Sequence, residues 1–133
     1  MSIINWVDLE NLGDERGSLI SIEAEKNIPF KVKRIYYISK TKENISRGFH
    51  AHKELTQAAI CVNGKCRMLL DNGEKKQEAW LDSPNKALII GPMIWREMYD
   101  FSDDCILLVL ASEYYDESDY IRNYKEFLEC ISQ

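Results

Sequence analysis

Arg47-Gly48-Phe49-His50-Ala51-His52 holds both histidines of a 133-residue chain. In an extended strand, residues i and i+2 point to the same face. Two imidazoles are therefore expected to project side by side into one space. Histidine is the side chain whose unperturbed pKa lies nearest neutrality, so such a pair can hold a metal ion or move protons. Two exposed loop histidines would do neither; the cations Arg47 and Lys53 on either side favour a site.

Outward from this stretch the chain reads as short strands. Ahead of it lie Ile3 to Leu9, a turn at Asp14-Glu15-Arg16-Gly17, a less regular strand over Ser18 to Glu23, and a break at Asn27-Ile28-Pro29-Phe30. Lys31 to Ser39 is rich in β-formers, with Arg34, Tyr36 and Ile38 on one face; Thr41 to Ser46 is a polar loop. Behind the histidines come Leu55 to Val62, then Asn63-Gly64, a hairpin signal, from which Lys65 to Leu70 is expected to pair back. Asp71-Asn72-Gly73 is a second hairpin turn before Lys76 to Leu81, and Asp82-Ser83-Pro84-Asn85 a third turn. Ala87 to Ile90, Ile94 to Phe101 and the apolar run Cys105 to Ala111 complete the series.

The period then changes. Tyr120, Ile121, Tyr124, Phe127, Leu128 and Ile131 recur at helical spacing, with Ser118 or Asp116 as the expected cap. Nine or ten short strands with close turns, followed by one helix, indicate an all-β sandwich or barrel. The length fits one domain over residues 1–133.

The totals narrow the function. A net charge of −5 argues against a nucleic-acid binder. No apolar run approaches the roughly 18 residues of a membrane span, and Met1 to Glu10 lacks an apolar signal core, so a cytoplasmic protein is expected. Cys61, Cys66, Cys105 and Cys130 contain no C-x-x-C pair and read as reduced, mostly buried thiols.

Gly48, His50, His52 and Gly64 resemble a degenerate first motif of the cupin superfamily, H-x-H-x(3,4)-E-x(6)-G. The glutamate position is taken by Gln57, and the stretch matching the second motif, Pro92-Met93-Ile94-Trp95-Arg96-Glu97, has no histidine. A neutral amide is a weaker ligand than a carboxylate, a cation such as Arg96 would repel a metal, and two histidines do not complete a typical site. Glu54 and Glu97 are carboxylates that could still contribute. The residues favour acid–base chemistry over metal binding. The resemblance implies an all-β jelly roll, a double-stranded β-helix, with a C-terminal α-helix.

A closer resemblance covers about residues 5 to 128. It is carried by Asp14-Glu15-Arg16-Gly17-Ser18-Leu19, by Pro29-Phe30-Lys31-Val32-Lys33-Arg34-Ile35-Tyr36-Tyr37, by the Arg47 to His52 string, and by Trp95-Arg96-Glu97-Met98. Tyr114-Tyr115-Asp116-Glu117-Ser118-Asp119-Tyr120-Ile121-Arg122 adds to it. These segments resemble the nucleotide-sugar 3,4-ketoisomerases. The resemblance implies isomerisation of dTDP-4-keto-6-deoxy-D-glucose to a dTDP-3-keto-6-deoxyhexose, feeding an aminotransferase that makes a 3-amino-3,6-dideoxy sugar for a glycan. It implies no metal, no organic cofactor, and a homodimer.

Moving a ketone from C4 to C3 requires removal of the C3 proton and delivery of one at C4 through an enediol. A neutral imidazole is a competent base and, once protonated, a competent acid. By resemblance His50 and His52 are expected to be catalytic, with either able to take the C3 proton. Tyr36 or Tyr37 is expected to polarise an oxygen, Tyr36 sharing its strand face with Arg34. Arginine's planar fork suits a diphosphate, so Arg34 and Arg47 are the expected phosphate ligands. Arg16 and Arg96 are expected at the sugar: Arg16 resembles the galacto-forming members and Arg96 the gluco-forming ones, which leaves the C4 epimer open. Two alternatives remain, a nucleotide-sugar 3,5-epimerase and a non-catalytic cupin that binds a sugar nucleotide.

Overall fold

The computed structural model describes residues 1–42 and 44–133. Two five-stranded antiparallel sheets face one another. The first has the order β1 (Asn5–Asp8), β7 (Lys86–Ile90), β4 (Gln57–Asn63), β9 (Ile106–Ala111), β2 (Arg34–Ile38). The second runs β10 (Tyr120–Ile121), β3 (Arg47–His52), β8 (Trp95–Tyr99), β5 (Cys66–Asp71), β6 (Lys76–Leu81). Helix α1 (Tyr124–Ile131) follows. This is the expected all-β jelly roll with its C-terminal helix.

The apolar pattern explains the layering. Between the sheets lie Ala59, Cys61, Met68, Leu70, Leu88, Ile90, Leu107 and Val109. The first sheet is also covered on its outer face: Ala58, Ile60, Ile89 and Leu110 pack there with Leu9 and Ile28, joined by Ile20, Ile22, Phe30 and Val32. That double burial is why residues 57–61 are all buried and lack a polar alternation. Helix α1 lays Phe127 against Trp95, Ala51 and Ile121 on the outer face of the second sheet, so its apolar stripe belongs to this chain's own core.

Three local expectations are corrected. Asn63-Gly64 does not close a hairpin: β4 pairs with β7 and β9, and β5 with β6 and β8, so the chain crosses there from one sheet to the other. Gly64 has φ 71°, and a Cβ on it would lie 2.4 Å from Ser102 Oγ, so the glycine serves a tight crossing. Ser18 to Glu23 forms no strand; Ile20 and Ala24 make only isolated bridges, and the segment's apolar side chains lie over the first sheet. The helix starts at Tyr124, where the Asn123 side chain accepts from Glu126 N; Asp116 instead caps a 3-10 turn, Glu117–Asp119. The backbone between them is taken by β10, which pairs with β3. Of the polar loop expected over Thr41 to Ser46, Glu43 lies outside the described residues.

Candidate active site

A cavity of about 490 Å³ opens between the inner faces of the two sheets at β2, β3 and β10. Strand β2 reaches it because alternation holds: Arg34, Tyr36 and Ile38 line the cavity, while Ile35 and Tyr37 face outward. Strand β3 reaches it by a different device. Gly48 and Phe49 both have positive φ, 92° and 61°, and the pairing with β8 shifts register between Gly48 and His50. Such a bulge bends a strand and re-aims the side chains that follow. After it, His50 and His52 share the inward face, their ring centroids 5.0 Å apart at 87°.

The two histidines are not equivalent. His50 is half-buried and lines the cavity. His52 is 1% exposed and sits behind it, its Nδ1 3.1 Å from Asp119 Oδ2. A carboxylate can only accept, so the shared proton resides on Nδ1 and His52 Nε2 carries a lone pair. The other Asp119 oxygen accepts from Glu54 N at 2.9 Å, which fixes the carboxylate. Tyr120, opposite His52 in the ladder, lays its ring 5.0 Å from that of His50 and 4.3 Å from that of His52.

Electrostatics keep this pair neutral. Burial, and then the nearby Arg96 guanidinium, lower His50 to about 4; the same two causes pull His52 lower still. At neutral pH both rings are free bases. Tyr36 is pushed above its usual range chiefly by burial, so its hydroxyl keeps its proton.

Positive charge gathers at the cavity's open side. Arg34, Arg47 and Arg122 all line it. Arg122 lies 4.1 Å from the Tyr120 ring centroid and pairs with Glu117 at 2.9 Å. The Arg34 guanidinium lies 5.2 Å from the Tyr36 ring and 5.7 Å from that of Tyr115, and its buried Nε has no hydrogen-bond partner among the described residues. These are forked cations suited to phosphate oxygens.

Of the residues expected at the site, the fold brings together His50, His52, Tyr36, Arg34 and Arg47. It does not bring three others to the cavity wall. Tyr37 is turned outward by strand alternation and is 69% exposed. Arg16 pairs with its neighbour Asp14 at 2.6 Å in an exposed turn, outside the cavity lining. Arg96 is 1% exposed, enclosed between the sheets rather than on the wall, where it donates to Gln57 and to the Ile94 carbonyl. Asp119, Tyr120, Tyr115 and Arg122 had no role assigned from sequence, although they lie in the 114–122 string that stands out there. A run of aromatic and charged residues just ahead of the terminal helix was the available signal. Among the described residues, no group of three His, Cys, Asp or Glu side chains is arranged to hold a metal ion.

With this geometry established, three comparisons bear on it. Residues 2–132 match the family described as FdtA: WxcM-like, C-terminal. The chain is 54% identical over 127 residues to a TDP-4-oxo-6-deoxy-alpha-D-glucose-3,4-oxoisomerase of Aneurinibacillus thermoaerophilus, covering 96% of this chain and 91% of that protein. It superposes with a TM-score of 0.96 on the crystal structure of a 3,4-ketoisomerase from Helicobacter canadensis, 45% identical with both chains fully covered. A TM-score of 0.95, at 42% identity over 99% of this chain and 96% of the other, is found with QdtA of Thermoanaerobacterium thermosaccharolyticum. That structure is a histidine-to-asparagine variant of this 3,4-ketoisomerase in complex with TDP-4-keto-6-deoxyglucose.

Proposed function

The chain belongs to the FdtA family and is a sugar 3,4-ketoisomerase, and from that premise we propose that it converts TDP-4-keto-6-deoxy-D-glucose to the 3-keto isomer with His50 first taking a proton and then returning one. The observation that carries the reading is a pair of neutral histidines, His50 on the wall of a cavity lined by three arginines and His52 packed behind it. The 3,5-epimerase and non-catalytic readings are not favoured by relatives that are themselves 3,4-ketoisomerases.

The reaction needs little apparatus. A base removes the C3 proton, made acidic by the C4 ketone; the electron pair forms the C3=C4 double bond, and O4 becomes an enolate oxygen. The O3 proton passes to O4, which moves the enolate charge to O3, and protonation at C4 then leaves the ketone at C3 and a hydroxyl at C4. His50, neutral and on the cavity wall, is assigned the carbon-bound proton transfers. His52 is assigned to support it from behind, its Nδ1–H held by Asp119 so that an unprotonated Nε2 remains within the buried pair. The Tyr36 hydroxyl, protonated at neutral pH, is placed in this reading to donate to the oxygen that gains charge. Arg34 and Arg47 are the proposed diphosphate ligands, with Arg122 beside them.

The same reading includes a homodimer, a cytoplasmic nucleotide-sugar substrate, and a product consumed by an amino-transfer step at C3. No helix among the described residues is long and apolar enough to cross a membrane. The test is incubation with TDP-4-keto-6-deoxyglucose in deuterated buffer, followed by carbon NMR. Deuterium at C4 with the ketone at C3 is the expected result, and the C4 coupling names the epimer. Exchange at C3 and C5 with the ketone still at C4 would identify an epimerase instead. No exchange would leave a binding protein.

A further inference from the structure

One buried polar chain joins the two sheets beside the histidines. Arg96, on β8, donates through Nη1 to Gln57 Oε1 on β4, and Gln57 Nε2 lies 3.0 Å from the Tyr36 hydroxyl on β2. Arg96 and Gln57 are 1% and 4% exposed. The other two guanidinium nitrogens also have a partner: Nη2 and Nε both reach the Ile94 carbonyl, at 3.0 and 3.3 Å. The arginine is thus held from two sides. Nothing so far gives Gln57 a task.

The direction of every bond in this chain is forced. Arginine has only donors, so the amide oxygen must face it. The amide nitrogen then faces Tyr36, and it has no lone pair to offer, so the tyrosine oxygen must be the acceptor. The hydroxyl's own proton therefore cannot point at Gln57. Tyr36 lines the cavity, so the cavity is a direction in which that proton is free to point. We propose that Gln57, oriented by Arg96, is a positioning residue that locks the Tyr36 hydroxyl as a hydrogen-bond donor toward the substrate's C4 oxygen. The proposal rests on the ketoisomerase reading for the identity of that oxygen; the bond polarity itself does not. It also accounts for an amide at the position where the cupin motif has glutamate. A carboxylate of the same shape would accept from both neighbours and draw the tyrosine proton away from the cavity.

Gln57→Glu tests this, because it keeps the shape and the Arg96 contact but reverses one bond. kcat is expected to fall about 10²-fold, the size of a lost transition-state donor, while the dissociation constant for TDP stays within about threefold of the parent, well short of the tenfold that 1.4 kcal/mol represents. Tyr36→Phe should lose a similar factor, and the double variant no more than either alone. A readout independent of turnover is the Tyr36 phenol titration, followed by carbon-13 NMR of the ring: Gln57→Glu should raise its pKa further, since the amide donor that favours the phenolate is replaced by an anion. Unchanged kcat in Gln57→Glu, or losses that multiply in the double variant, would overturn the relay. Should Gln57→Glu fail to fold, Gln57→Met in the same cycle with Tyr36→Phe serves, and multiplying losses again overturn it. A parent enzyme that moves no ketone would refute the ketoisomerase reading instead, while the titration still decides the bond polarity.

Discussion

His50 and His52 differ by two positions in sequence and by their access to solvent, and that difference underlies the separate roles proposed for them. His50 meets the cavity; His52 meets Asp119. His50→Asn keeps a similar volume and a hydrogen-bonding group but cannot carry the proton. Its kcat is expected to drop by roughly 10²–10⁴-fold, the ordinary contribution of positioned acid–base catalysis, and steady-state turnover near the parent value would remove His50 from the chemistry. The lowered pKa has a consequence for pH. In the proposed reaction His50 must be neutral to act as base, and burial with the Arg96 charge holds its protonation down to about 4. The profile of kcat/KM, which reports the free enzyme, should stay level from neutrality down to about one unit above that pKa, then fall as His50 takes a proton. An acid limb centred near 6.5, the ordinary histidine value, would show that the ring is solvated.

At the level of elements, β3 is the strand that makes the site, and its bulge is what aims it. Gly48 adopts φ 92°, and an added Cβ would lie 3.0 Å from the Arg96 carbonyl oxygen on the paired strand. Both the dihedral and the contact oppose any side chain. Gly48→Ala is expected to cost about 1–3 kcal/mol of stability, read as a lower urea midpoint. It should also lower kcat, because the shift needed to relieve the contact moves the His50 strand. A variant as stable and as active as the parent would mean that the bulge is incidental. Helix α1 plays the complementary part: Phe127 is fully buried against Trp95 beneath it, and β10, just ahead of the helix, carries Tyr120 to His52. The helix anchors the segment that delivers Asp119 and Tyr120 to the pair.

For the whole molecule, the open edges of the sheets are the unfinished feature. Strand β2 ends the first sheet, and its outward residues Ile35 and Tyr37 are 62% and 69% exposed. An apolar open edge invites pairing with another chain, in keeping with the proposed homodimer. Light scattering is expected to give twice the 15.5 kDa of one chain, and Ile35→Glu with Tyr37→Glu to return it to one; a monomeric parent would refute the dimer. Across this scale the sequence was most legible where structure is local. Strand alternation put Arg34 and Tyr36 together, the His-x-His spacing put two rings on one face, and the 3.6-residue period marked the final helix. It misled where the partner was distant: Asn63-Gly64 carries a hairpin's dipeptide, yet its flanking strands join opposite sheets.

The sequence by itself determined the all-β class, the histidine pair and the basic character of the site, because each depends on residues within a few positions of one another. Only the tertiary structure decided which histidine meets the cavity, that Asp119 holds the other, and that Arg96 is enclosed against Gln57 rather than set on the wall. Those contacts join residues 67 and 39 positions apart. They exist only once strand pairing and the packing of two sheets have fixed which distant side chains share an enclosed space, and no local periodicity encodes that choice.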